Sequence, residues 1–312
     1  YPNRYRAEYA PMFGGYAALQ DWDGIYRFAW SHVREALNNG MIGGFDIAKD
    51  PSAQLADRLI HALFLRGDAA PAENGIAVRF QEKELAAFSA GAYSAVQAAA
   101  GEFSFLGLFT RIGILPEGAG TPDGMRTVHL LSDWKKPLGT KEREFLAAAQ
   151  ERKTLTSSTG ELILDPQKKT LRVVTPRTEA LTGSGTLKGK TLQIRKAAVP
   201  QTVALISLDN RPLSESRKVL LLHLVEMANT DQTFRNARRN VLESYGKAPL
   251  LLRRCRTEVS LRIPEKRRVE TLDFSGRRTG EVSVRRSDGA LHFTADTALR
   301  PHGVMAYLIS AE

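Results

Sequence analysis

The sequence predicts an α/β segment at its N-terminal end, a mixed α/β connection and an all-β C-terminal region. Three observations carry this prediction. Helix and strand patterns alternate over residues 1–68, a linker of small residues begins at Ala69, and short strand patterns separated by turns dominate after Thr154. We therefore expect three domains, 1–68, 69–153 and 154–312, the last with room for two subdomains.

The first domain follows the order helix, strand, loop, helix. Met12, Tyr16 and Leu19 share one helical stripe and predict the first helix. The apolar run Ile25–Trp30 predicts a short buried strand, and Pro51 is typical of the first position of a second helix. This order is typical of the closing part of a repeated β/α fold.

The second domain mixes strands and a helix. After the linker 69–75, residues 76–80 and 126–131 predict strands, and residues 140–153 predict a helix. Glycine and proline residues lie between these elements and indicate loops. The alternation predicts a mixed α/β connection or a small domain at 69–153.

The third domain contains short apolar runs at regular spacing, which predicts a β-sandwich. Its strand candidates include Glu161–Leu164, Thr170–Val174, Thr191–Ile194 and Val203–Leu208. Residues 218–227 are compatible with a helix or a strand, and the surrounding strands favour a strand with His223 as a core residue. Candidate core residues of the sandwich are Val269, Leu272, Val282, Val284, Leu291 and Phe293. The glycine-rich string 183–191 predicts a hairpin turn, because a phosphate loop must lead into a helix.

Several stretches, in their order along the chain, carry a family resemblance. They are Asn3–Glu8, Ala17–Gly24, Phe28–His32, Phe45–Pro51, Leu63–Asp68, Thr154–Glu161 and Val174–Thr178. Together they resemble the end of the (β/α)₈ barrel, and the β-rich region after it, in bacterial glycoside hydrolases of clan A, the β-galactosidase-like clan. The resemblance implies that residues 1–68 are the terminal part of a TIM-like barrel.

The resemblance also implies where the catalytic carboxylates lie. In that clan the acid/base follows the fourth barrel strand and the nucleophile ends the seventh, so both would precede Tyr1 in sequence. A retaining glycosidase needs two carboxyl groups about 5 Å apart, and we nominate no such pair here. A complete barrel takes about 250 residues, so we expect an upstream barrel polypeptide or another subunit to complete this one.

The expected contribution of this chain is the rim of a sugar pocket. Trp30 ends the predicted strand, on the face where barrel active sites form, although tryptophan also commonly packs in cores. Arg4 and Arg6 could contact substrate hydroxyls or form ion pairs at the rim. His32 could line the pocket, and a hydrogen-bonded structural histidine is the interpretation that the sequence favours. For Glu8 we favour a structural role at the start of a helix.

Charge and composition leave two alternatives to the enzyme. One is a non-catalytic carbohydrate-binding or structural subunit of the same architecture. The other, weaker one is a basic nucleic-acid-binding protein, because the formal net charge is +10 and basic runs cluster near the C-terminus. Those runs are Arg253–Arg256, Lys266–Arg268, Arg277–Arg278 and Arg285–Arg286. Few aromatic residues interleave them, so a solvated strand face is the simpler interpretation and nucleic acid is not the expected partner.

Other classes of site are not indicated by the sequence. The single cysteine excludes an internal disulfide framework and a cysteine-based zinc site. The six histidines show no metal-ligand spacing. No apolar run approaches the length of a membrane span. We expect no cofactor, no metal and no membrane partner.

Overall fold

The computed structural model describes residues 5–38, 40–82, 86, 101–129, 134–263 and 266–311. The chain divides into two compact units. Unit 1 comprises Tyr1–Gly15, Gly24–Asp68 and Thr170–Glu312, and unit 2 comprises Tyr16–Asp23 and Ala69–Lys169. The fold is mixed, with few helices and a large antiparallel sheet. The three predicted domains stay a prediction.

The α-helices that lie wholly within the described residues are short. They are α1 (Tyr9–Leu19), α2 (Pro51–Ile60) and α3 (Thr140–Gln150), with 3₁₀ turns at Arg6–Glu8, Arg34–Asn38 and Ser104–Leu108 and a π turn at His61–Leu65. As the sequence predicts, Pro51 begins α2, and the Asp50 carboxylate caps it by accepting the backbone N–H of Ala53 at 3.0 Å. No described helix is long and apolar enough to cross a membrane.

The predicted strand Ile25–Trp30 is wrong. The segment forms no ladder, and its backbone bonds to another segment only near its end, where Ala29 donates to the Phe45 carbonyl at 3.2 Å. Its aromatic side chains are exposed, with Tyr26 at 96%. An apolar run forms a buried strand only if other elements cover it, and these rings stay largely exposed although Phe28 contacts His32 and Phe45. Helix, loop, helix therefore replaces the expected helix, strand, loop, helix.

Unit 2 contains a parallel sheet in the order β2-β1-β3. Its strands are β1 (Gly75–Arg79), β2 (Arg111–Leu115) and β3 (Met125–Val128), and β4 (Leu155–Thr156) pairs antiparallel with β5 (Leu162–Asp165). Ile76 and Val78 of the central strand pack with Phe103, Leu106 and Trp134. The predicted strand 76–80 is thus present one residue earlier at both ends, and the predicted helix 140–153 begins at Thr140 as expected and ends three residues earlier.

Unit 1 contains most of the strands. They are β6 (Thr170–Val174), β7 (Thr178–Lys188), β8 (Leu192–Ser207), β9 (Lys218–Leu224), β10 (Met227–Thr230), β11 (Thr233–Phe234), β12 (Leu242–Ser244), β13 (Lys247–Leu252), β14 (Arg256–Leu261), β15 (Arg267–Leu272), β16 (Arg278–Glu281), β17 (Arg285–Ser287), β18 (Ala290–Asp296) and β19 (Ala306–Ala311). The large sheet runs β16-β15-β19-β9-β8-β7-β6, and β14, β18 and β17 extend it from β8. Two small ladders, β10-β13 and β11-β12, lie apart from it.

The long strand β8 joins two arms of the large sheet. One edge of β8 pairs with β7, whereas the other edge pairs with β14 along Leu192–Arg195 and with β9 along Thr202–Ser207. Side chains from both arms belong to one buried cluster, Val259 and Leu291 from one arm and Ile309 from the other. The core of unit 1 therefore lies between the two arms.

The core positions follow the sequence in part. The run at 218–227 forms β9, and His223 is fully buried with Nε2 2.6 Å from Gln201 Oε1. Burial lowers the pKa of His223 to about 4, which keeps the imidazole neutral at pH 7. Val269, Leu291 and Phe293 are core residues, and Val282 packs partly buried against the same cluster. Leu272 is only half-buried and lies outside the cluster, and Val284 is 40% exposed, so its predicted core position is wrong.

A buried carboxylate ties the end of the π turn to strand β7. Asp68 has no exposed side-chain surface and pairs with Arg66 and with Arg177, whose Nη2 lies 2.9 Å from Asp68 Oδ1. Thr178 Oγ1 donates to Asp68 Oδ2 at 2.6 Å. Both oxygens are therefore occupied by donors, as a buried charge requires.

We expect Asp68→Asn to lower the free energy of unfolding by about 3 kcal/mol, because it leaves two guanidinium groups with a neutral partner in a buried site. Urea unfolding followed by far-UV circular dichroism measures the change. Asp231→Asn is the matched control, since Asp231 pairs with Lys247 at the exposed surface and its loss should cost under about 1 kcal/mol. Equal losses of unfolding free energy in the two variants would contradict the conclusion that the buried ion pairs of Asp68 stabilise the fold.

Candidate functional site

A polar and aromatic pocket of about 510 Å³ lies in unit 1, within the size range of small-molecule sites. The 3₁₀ turn Arg6–Glu8 and the start of α1 form one side. Residues 26–28 and 44–47 form the other, and Asp50 and Ala53 of the α2 start complete it. The pocket thus brings together three of the stretches that carry the family resemblance.

Arg6 is anchored at this pocket by an ion pair with Asp50. Their side chains are 9% and 2% exposed, so the pair is nearly buried. Asp50 also caps α2, which fixes the carboxylate in place. Arg6 also lines the pocket, where its guanidinium is a cationic group. The structure thus shows the ion-pair alternative for Arg6, and it does not bear on Arg4, which lies outside the described residues.

The floor of the pocket holds a tyrosine that the sequence did not indicate. The Tyr9 hydroxyl bonds to Asp57 and lies 3.2 Å from the Ala53 carbonyl oxygen. Arg27 stacks over the Tyr9 ring at 4.7 Å from its centroid. Burial, followed by the hydrogen bond to Asp57, raises the pKa of Tyr9 far above its usual range, so the phenol stays protonated. These partners are far apart in sequence, and no local pattern joins them.

His32 is held against the pocket wall by Asp46. The Nδ1 atom contacts Asp46 Oδ1, and the His32 backbone N–H donates to the same oxygen at 3.1 Å. The imidazole packs edge-to-face on Phe28, with 4.9 Å between ring centroids. The side-chain hydrogen bond from His32 lowers the pKa of Asp46, so Asp46 is an ionised acceptor and Nδ1 carries the proton. The second ring nitrogen, Nε2, is the one left for other contacts.

Trp30 lies at the surface beside this pocket rather than at a strand end. Its side chain is 59% exposed, and its backbone oxygen accepts from Ala48 N–H at 3.0 Å. It does not line the pocket itself. Together with Tyr26, Phe28 and Phe45, which are 96%, 72% and 65% exposed, it forms a set that we call the aromatic rim. The sequence predicted burial of the strand that contains Tyr26 and Phe28, and the exposure of these two rings is the feature it missed.

The carboxyl groups around the pocket have different environments. Asp46 and Asp50 are each held by a cationic or imidazole partner. Glu8 lines the pocket, and desolvation raises the pKa of its carboxyl. The described residues include no group of three or more histidine, cysteine or acidic side chains placed to hold a metal. The pocket offers hydrogen-bond donors and aromatic surface, and we assign no catalytic pair within it.

Comparison with known proteins does not assign the chain to a family. No protein-family model matches its sequence, and no curated protein matches it either.

Proposed function

We propose that this chain is the C-terminal portion, or a subunit, of a carbohydrate-active glycoside hydrolase and forms part of the rim of its sugar pocket. The observation that carries the proposal is the aromatic rim, four exposed rings beside a pocket lined by anchored polar side chains. Aromatic planes suit the apolar faces of sugars, and exposed aromatic patches mark interaction surfaces. In this proposal residues 1–68 end a TIM-like barrel, and the two arms joined by β8 form a β-sandwich.

Each side chain has a role in this proposal. Trp30 stacks on a sugar ring, Arg6 donates to substrate hydroxyls, and His32 presents Nε2 while Asp46 holds its Nδ1 proton. The catalytic carboxylates come from the upstream barrel polypeptide or another subunit. The same polypeptide would cover part of the aromatic rim, which is otherwise an aggregation hazard. Arg4 belongs to the same proposed rim.

A non-catalytic carbohydrate-binding subunit is the second candidate. Two of the pocket carboxylates, Asp46 and Asp50, are engaged by His32 and Arg6 and are poorly suited to attack a sugar or to protonate a leaving group. The pocket could therefore bind a sugar without cleaving it. Nucleic-acid binding remains the weaker alternative, since the aromatic rim lies apart from the basic runs in sequence.

A turnover assay distinguishes the two candidate functions, a glycoside hydrolase and a non-catalytic binding subunit. The purified chain should not hydrolyse chromogenic glycosides alone, and it should do so when combined with the polypeptide encoded immediately upstream, because that polypeptide supplies the carboxylates. The release of the chromophore measures the reaction. Absence of turnover by the combined pair, with sugar binding retained, would favour the non-catalytic subunit and contradict the enzyme.

Trp30→Ala should weaken sugar binding, or kcat/KM of the combined enzyme, by about tenfold, equivalent to about 1.4 kcal/mol. Because Trp30 is largely exposed, its removal should leave the free energy of unfolding nearly unchanged. Trp22→Ala is the matched control, since Trp22 belongs to unit 2 and lines no part of the pocket. Unchanged sugar binding in Trp30→Ala, or an equal loss of binding in Trp22→Ala, would contradict the proposed stacking of Trp30 on a sugar ring.

Asp46→Asn tests whether an ionised carboxylate holds His32. The folded-state pKa of Asp46 is lowered, so its contribution to stability is present above its unfolded pKa of about 3.9 and disappears as the pH falls through the lower folded value. The difference in unfolding free energy between wild type and Asp46→Asn should therefore shrink below about pH 4. Urea unfolding at several pH values measures it. Asp123→Asn, in an exposed loop, should show no such trend, and a pH-independent difference for Asp46→Asn would refute the linkage.

A further inference from the structure

A second concave site lies on the large sheet of unit 1, away from the pocket described above. It is a groove of about 650 Å³ over strands β7, β8, β14, β18 and β17. One residue from each strand stands in a single cross-strand row, in the order Lys188, Gln193, Ser260, His292 and Arg285. With neighbouring strands about 4.8 Å apart, the row spans roughly 19 Å.

The row faces away from the hydrophobic core. The adjacent row on the same strands, which includes Leu187, Ile194, Val259 and Phe293, belongs to the buried cluster. Because successive side chains of a strand point to opposite faces, the polar row must face the outside. The register that buries the core therefore also builds the floor of the groove.

Positive charge dominates the groove. Five lysine and arginine side chains line it against two carboxylates, Glu258 and Asp288. Glu258 is already engaged by Lys196, with Nζ and Oε1 2.5 Å apart. In the described part of the chain, by contrast, no ion pair engages the cations Lys188, Lys190, Arg262 and Arg285. Among the described residues, the groove thus offers several cations that no carboxylate pairs with.

A buried carboxylate fixes the turn at one end of the groove. Glu179 is 1% exposed and accepts the backbone N–H groups of Thr191 at 2.8 Å and Leu192 at 3.3 Å. Any Cβ at Gly189 would overlap Glu179 Oε1. The β7–β8 turn is therefore held in one conformation, with Lys188 and Lys190 at the edge of the groove. This is the glycine-rich string whose sequence superficially resembled a phosphate loop.

The centre of the row is neutral and hydrogen-bonding. His292 Nε2 lies 3.1 Å from the Ser287 carbonyl oxygen, which can only accept, so Nε2 carries the proton. Nδ1 then accepts from the Ser260 hydroxyl at 2.8 Å. Ser260 and Gln193 line the groove as polar residues between the two cationic ends of the row, Lys188 and Arg285.

We propose that this groove binds an anionic oligosaccharide that carries carboxylate or sulfate groups. The cationic ends pair with its charges, and the neutral centre bonds to its hydroxyl groups. A single-stranded nucleic acid fits less well, because single strands are held by exposed aromatic rings, and the phenylalanine bordering the groove, Phe293, is 5% exposed and packed in the core. The proposal is independent of the activity proposed for the pocket at Arg6.

Calorimetric titration of the full chain tests the proposal with four probes. They are tetragalacturonate, a sulfated chondroitin tetrasaccharide, neutral cellotetraose and a 12-nucleotide single-stranded DNA. At least one acidic tetrasaccharide should bind at least tenfold more tightly than cellotetraose. Its Kd should rise several-fold, on the order expected for exposed ion pairs, when the salt concentration increases from 20 to 200 mM, because salt screens such pairs. Comparison of the Kd values of the two acidic probes distinguishes recognition of carboxylate groups from recognition of sulfate groups.

Variants locate the binding. Lys190→Gln combined with Arg285→Gln should weaken binding of the acidic probe at least tenfold, whereas Lys190→Arg combined with Arg285→Lys should retain it. The matched control is Lys136→Gln combined with Arg238→Gln, two exposed cations outside the groove. The proposal is overturned by no binding of either acidic probe, by equal binding of cellotetraose, by an equal loss in the control, or by tighter binding of the DNA.

Discussion

The pairing of β8 with different strands along one edge is the constraint on which the rest of unit 1 depends. Its first residues pair with β14 and its last with β9, while β7 pairs with it on the other edge. A shift of one residue in this register would exchange the two faces. Ile194 would leave the core, and Gln193 would leave the polar row. The core and the groove are thus two results of one register.

Much of the fold could be predicted where a local signal determines it. Pro51 after a capping Asp50 located the start of α2, and the β-rich surroundings identified β9. The prediction of a strand at residues 25–30 failed because the apolar content of a segment does not reveal whether another element buries it. The groove was beyond sequence reasoning for a related reason. Its row takes one residue from each of five strands, and only the register brings them together.

The candidate site likewise combines residues that the sequence indicates with partners that only the folded structure reveals. Arg6 and His32 could be nominated because basic and imidazole side chains stand out in a sequence, but their partners Asp50 and Asp46 could not. The carboxylates belong to a separate loop, and tertiary packing alone selects them. Tyr9 was missed because its hydroxyl gains a role only through Asp57 on α2. Sequence patterns identify reactive side chains more readily than the neighbours that orient them.

The contact between Gly189 and Glu179 has an evolutionary consequence. Any side chain at position 189 collides with the carboxylate, and a shorter side chain at position 179 would leave the amides of Thr191 and Leu192 without their acceptor. Neither residue can change alone without disturbing the turn. The two positions should therefore covary among homologous chains, as a pair that is inherited or lost together.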